Sequence, residues 1–364
     1  MSTQAPAVVI GAGVVGCAVA HALAERGRPP VVLERARRSA DGITSRNSGV
    51  VHGGLYHAPG SLKAKTCVRG RHLLEEWCER HDVPRRRCGK WIVGGRDDAP
   101  ALEALLSNAR ACGVDEIDFA DVEKLRADVP SARGEIALFC RASGIVDPIA
   151  LTRSLQAAAG EAGASVITST EVRSLELHGD LWRVDSSRGT VDTPLVVNAA
   201  GLDAGDIARL AQVDRYRLHP CRGDYFRLAS RWRLPTLLYP VRPRGAPGLG
   251  VHVTIDLAGG VRLGPDARWI DRRDDFSPPP DEEALRAAFA EAAGRILSGV
   301  QPTDLTWDSC GIRPKLRAPD DPEERDFVVA MDRPGLVNLV GIESPGLTAA
   351  LALAEEVMTL FALS

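Results

Sequence analysis

Three glycines in the pattern G-x-G-x-x-G, Gly11, Gly13 and Gly16, are the first residues whose spacing carries chemistry. They lie between a short apolar run, residues 7–10, and an alanine-rich stretch, 17–26, that Gly27 ends. The spacing suits a pyrophosphate. The first glycine makes a tight turn, the second admits backbone close to phosphate, and the third lets helix and strand pack closely. A helix opening there points N–H groups and a positive dipole end at the anion. Glu34 follows the last glycine by eighteen residues and ends a second apolar run. A carboxylate there accepts from ribose hydroxyls and repels a 2′-phosphate, so the pattern predicts a dinucleotide without one. Other chemistries lack their residues. There is no G-x-S-x-G, no H-E-x-x-H and no C-x-x-C, so neither a serine-hydrolase elbow nor a metal site is expected.

Composition narrows the class. The 364 residues are 45% hydrophobic and 26% charged, ordinary globular proportions at a length that suggests two domains. A net charge of −3, from 45 basic and 48 acidic residues, argues against a nucleic-acid partner or a large membrane-surface footprint. The basic residues are lopsided: five are Lys (63, 65, 90, 124 and 315), leaving 40 Arg, an excess that reads as compositional bias. Eight scattered cysteines read as reduced thiols. No basic leader precedes the first apolar run and no apolar stretch reaches ~18 residues. The expectation is a cytoplasmic chain without an integral membrane segment, at most peripheral to a membrane.

The elements that must position these residues follow from periodicity and punctuation. Residues 7–34 read as a βαβ unit. Helices are expected at 61–81, 99–112, 121–127, 148–162, 282–297 and 347–361, and short strands at 165–170, 172–177, 181–186, 195–198, 328–331 and 336–340. The stretch 216–263 is strand-like with frequent Pro and Gly. After Glu34 the chain leaves the contiguous βα repeats usual in a nicotinamide domain and returns to nucleotide-type strands only near 165.

The segment Arg46-Asn47-Ser48-Gly49-Val50-Val51-His52-Gly53-Gly54-Leu55-Tyr56, followed by Pro59-Gly60-Ser61-Leu62-Lys63-Ala64-Lys65, is distinctive. It resembles the flavin-facing loop of L-2-hydroxyglutarate dehydrogenases and oxidases, in the D-amino-acid-oxidase-like FAD superfamily. The resemblance continues in order through Cys88-Gly89-Lys90, Ser143-Gly144-Ile145-Val146-Asp147, Asn198-Ala199-Ala200-Gly201-Leu202, Arg222-Gly223-Asp224-Tyr225 and Gly250-Val251-His252. It ends with Leu263-Gly264-Pro265, Gly311-Ile312-Arg313-Pro314-Lys315 and Gly341-Ile342-Glu343-Ser344-Pro345-Gly346-Leu347-Thr348. The chain has His57 where those enzymes often carry a second aromatic. The resemblance implies an α/β (α+β) fold: a Rossmann-like FAD domain from 1–85, 146–210 and 316–364, and a substrate domain on a mostly antiparallel sheet from 86–145 and 211–315. It implies that Gly11, Gly13, Gly16 and Glu34, with Arg35 beside it, hold the ADP half of non-covalent FAD. Arg46, Asn47, Ser48, Gly49 and His52 would run along the pyrophosphate and ring. Val172 would reach adenine through its backbone, and Ala200 and Gly201 would cross close to the cofactor. Gly346, Leu347 and Thr348 would open a last helix whose positive end stabilises the reduced flavin anion.

Oxidation of a 2-hydroxy acid then needs a cation for the carboxylate, a base for the hydroxyl proton, and a Cα–H aimed at flavin N5. Arg313, fixed by Pro314, is the expected clamp, since its fork matches a carboxylate. Lys315 alternates onto the same strand face, and either it or Arg222 would meet a second carboxylate, with a structural salt bridge as the other reading. His52 and His252 are the base candidates, His57 a third, and each reads equally as a buried, hydrogen-bonded histidine. The Tyr239 hydroxyl, before Pro240, is a candidate donor to substrate; Tyr56 and Tyr225 share that ambiguity with a core role. The reaction implied is L-2-hydroxyglutarate to 2-oxoglutarate, with oxygen or a quinone as electron acceptor. An amino-acid or secondary-amine oxidase, a flavoenzyme for a larger or carrier-bound acid, and an NAD-binding module are the competing readings.

Overall fold

The computed structural model describes residues 3–242 and 250–362; residues 243–249, inside the stretch read as strand-like, lie outside the described residues. The apolar run after the N-terminus is a strand, Val8–Ile10, at the middle of a six-stranded sheet. Its neighbours are Val31–Leu33 and then Ser165–Ile167 on one side, and Val196–Asn198, Leu336–Val340 and Val328–Arg333 on the other. Five strands run parallel and the last, Val328–Arg333, is antiparallel. The central strands carry no alternation because both faces are covered. Val9, Val197 and Val337 pack under the helices Val14–Glu25, Pro148–Glu161 and Gly346–Ala362. Val8, Val196 and Leu336 pack against Trp182 and Val184 of a four-stranded sheet on the opposite face.

A nine-stranded sheet carries the rest of the site. The strand His219–Leu228 pairs along its length with Leu305–Lys315, which places Arg313 opposite Cys221 and Ile312 opposite Arg222. His219–Leu228 also pairs with Arg268–Trp269 and with Val261–Leu263, and beyond these come Val253–Ile255, Leu237–Pro240, Lys90–Gly94, Ile136–Cys140 and Ile117–Ala120. The sheet is antiparallel except where Leu237–Pro240 runs parallel to Lys90–Gly94. The strands of 85–140 carry no period-two signal that separates them from helix. Lys90–Gly94 and Ile136–Cys140 are buried on both faces or nearly so, and short continuous apolar runs do not report their secondary structure.

Side-chain caps set several helix starts. Ser61 Oγ accepts from Ala64 N at 3.1 Å and opens Leu62–Arg80, while Asp147 Oδ1 accepts from Ile149 and Ala150 N and opens Pro148–Glu161. The helix expected over 282–297 ends at Gly294. Two glycines allow backbone approaches nothing larger permits. Gly11 has φ +102°, and a Cβ there would meet the Ala199 carbonyl oxygen at 2.6 Å. A Cβ on Gly16 would overlap the Gly11 carbonyl. Gly16→Ala is therefore expected to push Val14–Glu25 off the sheet, costing about 1–3 kcal/mol and lowering the flavin absorbance retained on purification. Full retention of bound flavin would contradict this packing role.

Candidate active site

Between the two large sheets lies a cavity of about 670 Å³. At one end Gly11, Gly13 and Val14 bring in the start of the helix Val14–Glu25, beside Glu34 and Arg35. Glu34 braces this turn: its carboxylate accepts from Ala12 N at 2.7 Å and from Ala36 N at 2.8 Å. Arg35 reaches across to Asp203, at 2.7 Å. The wall continues through Arg46, Asn47 and Ser48 and through Ala200 and Gly201 to Gly346 and Leu347 at the start of the last helix. Arg46 stacks on Phe276 at 3.9 Å, and its buried Nε has no hydrogen-bond partner. The fit to a flavin dinucleotide rests on these features: a glycine cradle that a Cβ would fill, a helix start facing the cavity, and a half-buried guanidinium whose buried Nε is an unmatched donor among the described residues.

Several expected residues stand behind the wall rather than in it. Gly16 and Gly49 shape backbone; a Cβ on Gly49 would meet the Val146 carbonyl oxygen at 2.8 Å. Thr348 Oγ1 accepts from His52 N at 3.0 Å and donates to Val50 O. Val172, expected at adenine, pairs with Ser186 at the edge of the four-stranded sheet and does not line the cavity. Arg222 corrects the expectation of a second substrate cation. It is buried, grips Asp224 through Nε and Nη2 at 2.9 and 2.8 Å, and donates to the Asp275 and Ser277 carbonyls. Tyr239 also lies outside the wall, its buried hydroxyl without a hydrogen-bond partner among the described residues and its ring stacked on His252 at 3.9 Å.

The other end of the cavity is cationic. Arg313 lines it, donating to the Asp266 carbonyl at 3.0 Å, with the Cys221 sulfur at 3.8 Å. Lys315 and Lys63 converge on Glu343: Lys63 Nζ is 3.1 Å from Oε1, and Lys315 Nζ is 3.0 Å from Oε2. Burial alone would raise the Glu343 carboxyl, but Lys63, Lys315 and Arg313 outweigh it and hold it below the usual carboxylate range. The sequence reading gave Lys63 and Glu343 no role. For Lys63 the signal was rarity, since three of five lysines, Lys63, Lys90 and Lys315, prove to be buried in an arginine-rich chain.

The structure brings His52, His57 and His252 to this end together with Tyr56 and Tyr225. All three histidines are pushed down from the ordinary value near 6.5, first by burial. Lys63 adds to this at His57, which falls to about 4. Lys90 and Arg313 add to it at His252, which falls to about 3 although its bond to the Gly250 carbonyl opposes the shift. Lys90, His57 and His252 act on His52. His252 Nδ1 lies 2.8 Å from the Gly250 carbonyl oxygen. A carbonyl only accepts, so Nδ1 carries the proton and Nε2 keeps its lone pair. His52 Nε2 pairs with Ser344 Oγ at 3.2 Å.

Two outcomes follow. The unfolded chain takes up protons below about pH 6.5 that the folded chain refuses until pH 4 to 3. These histidines therefore contribute stability that is present above pH 6.5 and lost as the pH falls through that window. The Tm should drop there, and less steeply in His57→Gln; equal slopes would refute the assignment. Arg222→Ala should cost about 1–3 kcal/mol, because it removes two hydrogen bonds from the buried Asp224 carboxylate and leaves it to Arg268 and Trp307, and leave KM for a carboxylate substrate unchanged; a raised KM with unaltered Tm would restore Arg222 to the site.

Comparison with known proteins agrees with this arrangement. The DAO family model, described as FAD dependent oxidoreductase, matches residues 7–360. The mitochondrial L-2-hydroxyglutarate dehydrogenase of Arabidopsis thaliana is 36% identical, over 97% of this chain and 83% of that one. A glycerol 3-phosphate dehydrogenase of Caloramator mitchellensis is 30% identical, over 95% of this chain and 71% of that one. Among solved structures, the dithionite-reduced L-alpha-glycerophosphate oxidase of Mycoplasma pneumoniae with FAD bound superposes with a TM-score of 0.89 at 24% identity, covering 100% of this chain and 95% of that one. A nucleotide cradle and a cationic pocket on one cavity, in a chain matched almost end to end, identify it as a member of the DAO family of FAD-dependent oxidoreductases.

Proposed function

We propose that the protein oxidises L-2-hydroxyglutarate to 2-oxoglutarate. The observation that carries this reading is the cationic end of the cavity, where Arg313 lines the wall beside Lys63 and Lys315, the two lysines gathered on Glu343. Arg313 donates to the Asp266 carbonyl rather than to a carboxylate, which leaves its charge for a substrate carboxylate, and Lys63 and Lys315, shared with Glu343 and Glu324, add the charge that favours a second one. The resemblance to hydroxyglutarate dehydrogenases, one of them 36% identical, supports the same substrate.

In this reading Arg313 binds the carboxylate next to the hydroxyl through its planar fork. Lys63 and Lys315 attract the distal carboxylate as point charges while Glu343 holds them in place. His252 Nε2 accepts the hydroxyl proton, and its Nδ1–H stays on the Gly250 carbonyl. His52 is held by Ser344 at its ring and by Thr348 at its backbone, so it shapes the wall beside the reacting carbon. Gly11, Gly13, Glu34, Arg46, Asn47, Ser48, Ala200, Gly201, Gly346 and Leu347 would hold FAD along the wall. When bound, FAD supplies the two-electron oxidation by accepting the Cα hydride. Oxygen or a quinone then takes the electrons onward. The chain division expected from the sequence serves this reading, one part for the cofactor and the other for the acid.

A second reading, oxidation of glycerol 3-phosphate, is favoured by the relative of that name at 30% identity. Anaerobic mixing separates the two. L-2-hydroxyglutarate should bleach the flavin absorbance of the purified holoenzyme, with glycerol 3-phosphate, glycine and D-amino acids much slower; faster bleaching by glycerol 3-phosphate would overturn the first reading. Arg313→Ala should raise KM for the acid at least about 10-fold, from loss of a charge-assisted contact; an unchanged KM would refute the clamp.

A further inference from the structure

Lys90 is the most deeply buried cation in the described chain, with no exposed surface at all. It stands at the head of the strand Lys90–Gly94, beneath the cavity's reacting end. Among the described residues no carboxylate pairs with it. Its ammonium faces two tyrosine rings, Tyr239 at 4.2 Å and Tyr56 at 5.7 Å from the centroids, with the thiols of Cys140, Cys67 and Cys88 around it. An unpaired buried ammonium is costly. Tyrosine faces offset part of that cost by attracting the cation to their negative π surface. They do not cancel its charge as a carboxylate would, so its field extends into the cavity.

The Tyr239 ring is shared: Lys90 lies against it, and the His252 ring stacks on it at 3.9 Å. Tyr56, the second ring at Lys90, itself lines the cavity. The unpartnered hydroxyls of both tyrosines are buried beside this cation. We propose that Lys90 is a positioning residue: its charge, seated against Tyr239 without a carboxylate partner among the described residues, adds to burial in keeping the His252 imidazole uncharged and so ready to accept the substrate's hydroxyl proton. The proposal rests on the reading of His252 as the base.

The other groups facing these imidazoles act in known directions. Burial is the largest influence on His252; the Gly250 carbonyl opposes it, and Lys90 and then Arg313 reinforce it. At His52, Lys90 acts together with His57 and His252. Burial also lowers Lys90 itself, to about 8, so its charge is present across the range in which an ordinary histidine titrates. Below neutrality a base made basic enough to protonate would be lost to protons from solvent. A fixed cation beside it prevents that.

The test is the pH profile of kcat/KM for the holoenzyme with whichever 2-hydroxy acid it turns over, since the acid limb reports the base in the free enzyme. The acid limb of the parent should lie well below 6.5. In Lys90→Met it should move up toward that value; each unit of movement is about a tenfold loss at low pH relative to pH 8. Lys90→Arg, which keeps the charge but leaves buried donors unmatched, should lower Tm and keep the parent's limb. A purely structural lysine would lower activity equally at every pH in Lys90→Met, and that result would overturn the proposal. Because a buried lysine can be needed for folding, a second measurement uses the parent enzyme alone. Histidine ¹⁵N resonances, with His252 assigned by its loss in His252→Gln, should show that ring uncharged at pH 5. Protonation near 6.5 would refute the proposal whether or not Lys90→Met folds. If Arg313→Ala leaves KM unchanged while the limb still moves with the charge at 90, the function reading fails and the role of Lys90 stands.

Discussion

The carboxylate of Glu343 is the interaction on which the reacting end of the cavity depends. Its side chain is 9% exposed and binds a lysine from each of two distant elements, Lys63 in the helix Leu62–Arg80 and Lys315 at the end of the strand Leu305–Lys315. Its own backbone continues the effect. The Glu343 carbonyl accepts from Gly346 N at the start of the last helix, and the next residue, Ser344, bonds the His52 ring. A second acid, Asp326, accepts from the N–H groups of Leu62 and Lys63 and fixes the start of the helix that delivers Lys63. A buried ion pair is weak evidence for stability, because desolvation offsets much of its attraction. Its consequence here is positional. Two flexible lysine stems are held at one point of the cavity, and the loop between the sheet and the last helix is held with them.

The three buried lysines explain a choice that composition alone hides. The chain writes nearly every cation as Arg, yet Lys63, Lys90 and Lys315 lie in the interior. A guanidinium carries five donors in a rigid plane, and burying it requires acceptors for most of them. Arg222 meets that demand with one carboxylate and two carbonyls. Around Glu343 one carboxylate serves two lysines, of which Lys315 also lies 3.6 Å from Glu324, and among the described residues Lys90 meets ring faces and thiols. A slim stem carrying a point charge fits both places. The cavity thereby gains positive charge with few competing hydrogen bonds, which favours an anionic substrate and disfavours protonation of its histidines.

Much of this was legible from residue types. The glycine turn, the acid at 34, the helix starts at Ser61 and Asp147 and the parallel strands announce themselves through local geometry that their residues impose. Arg313 was legible too, from its motif between Gly311 and Pro314. What local reading missed depends on long-range contacts. The strand Lys90–Gly94 has no alternation because both faces are covered, so its residues read ambiguously and Lys90 passed as an ordinary motif lysine. Arg222 and Tyr239 were candidates for the substrate because their types suit it, with a salt bridge and a core role as the other readings. Only the pairing of His219–Leu228 with Leu305–Lys315 shows that Arg222 belongs to a neighbouring charge cluster. Val172 was carried over to adenine by likeness, and its edge-strand position does not bring it to the wall.

The two ends of the cavity are held by different physics, and this governs how each tolerates change. The nucleotide end is set by backbone: Gly11 against Ala199, Gly16 against Gly11, Gly49 against Val146, approaches that leave no room for a Cβ. Such contacts are short-ranged and steep, so a single methyl alters the whole turn. The reacting end is set by charge on flexible stems whose fields overlap: Lys90 acts on His52 and His252, Arg313 on His252, and Lys63 on both His57 and Glu343. Charges in a poorly solvated interior interact over longer distances and decline gradually. Substitution there shifts affinity and proton equilibria by degrees and leaves the cofactor cradle standing. A scaffold divided in this way can retain one cofactor while the anion it oxidises varies.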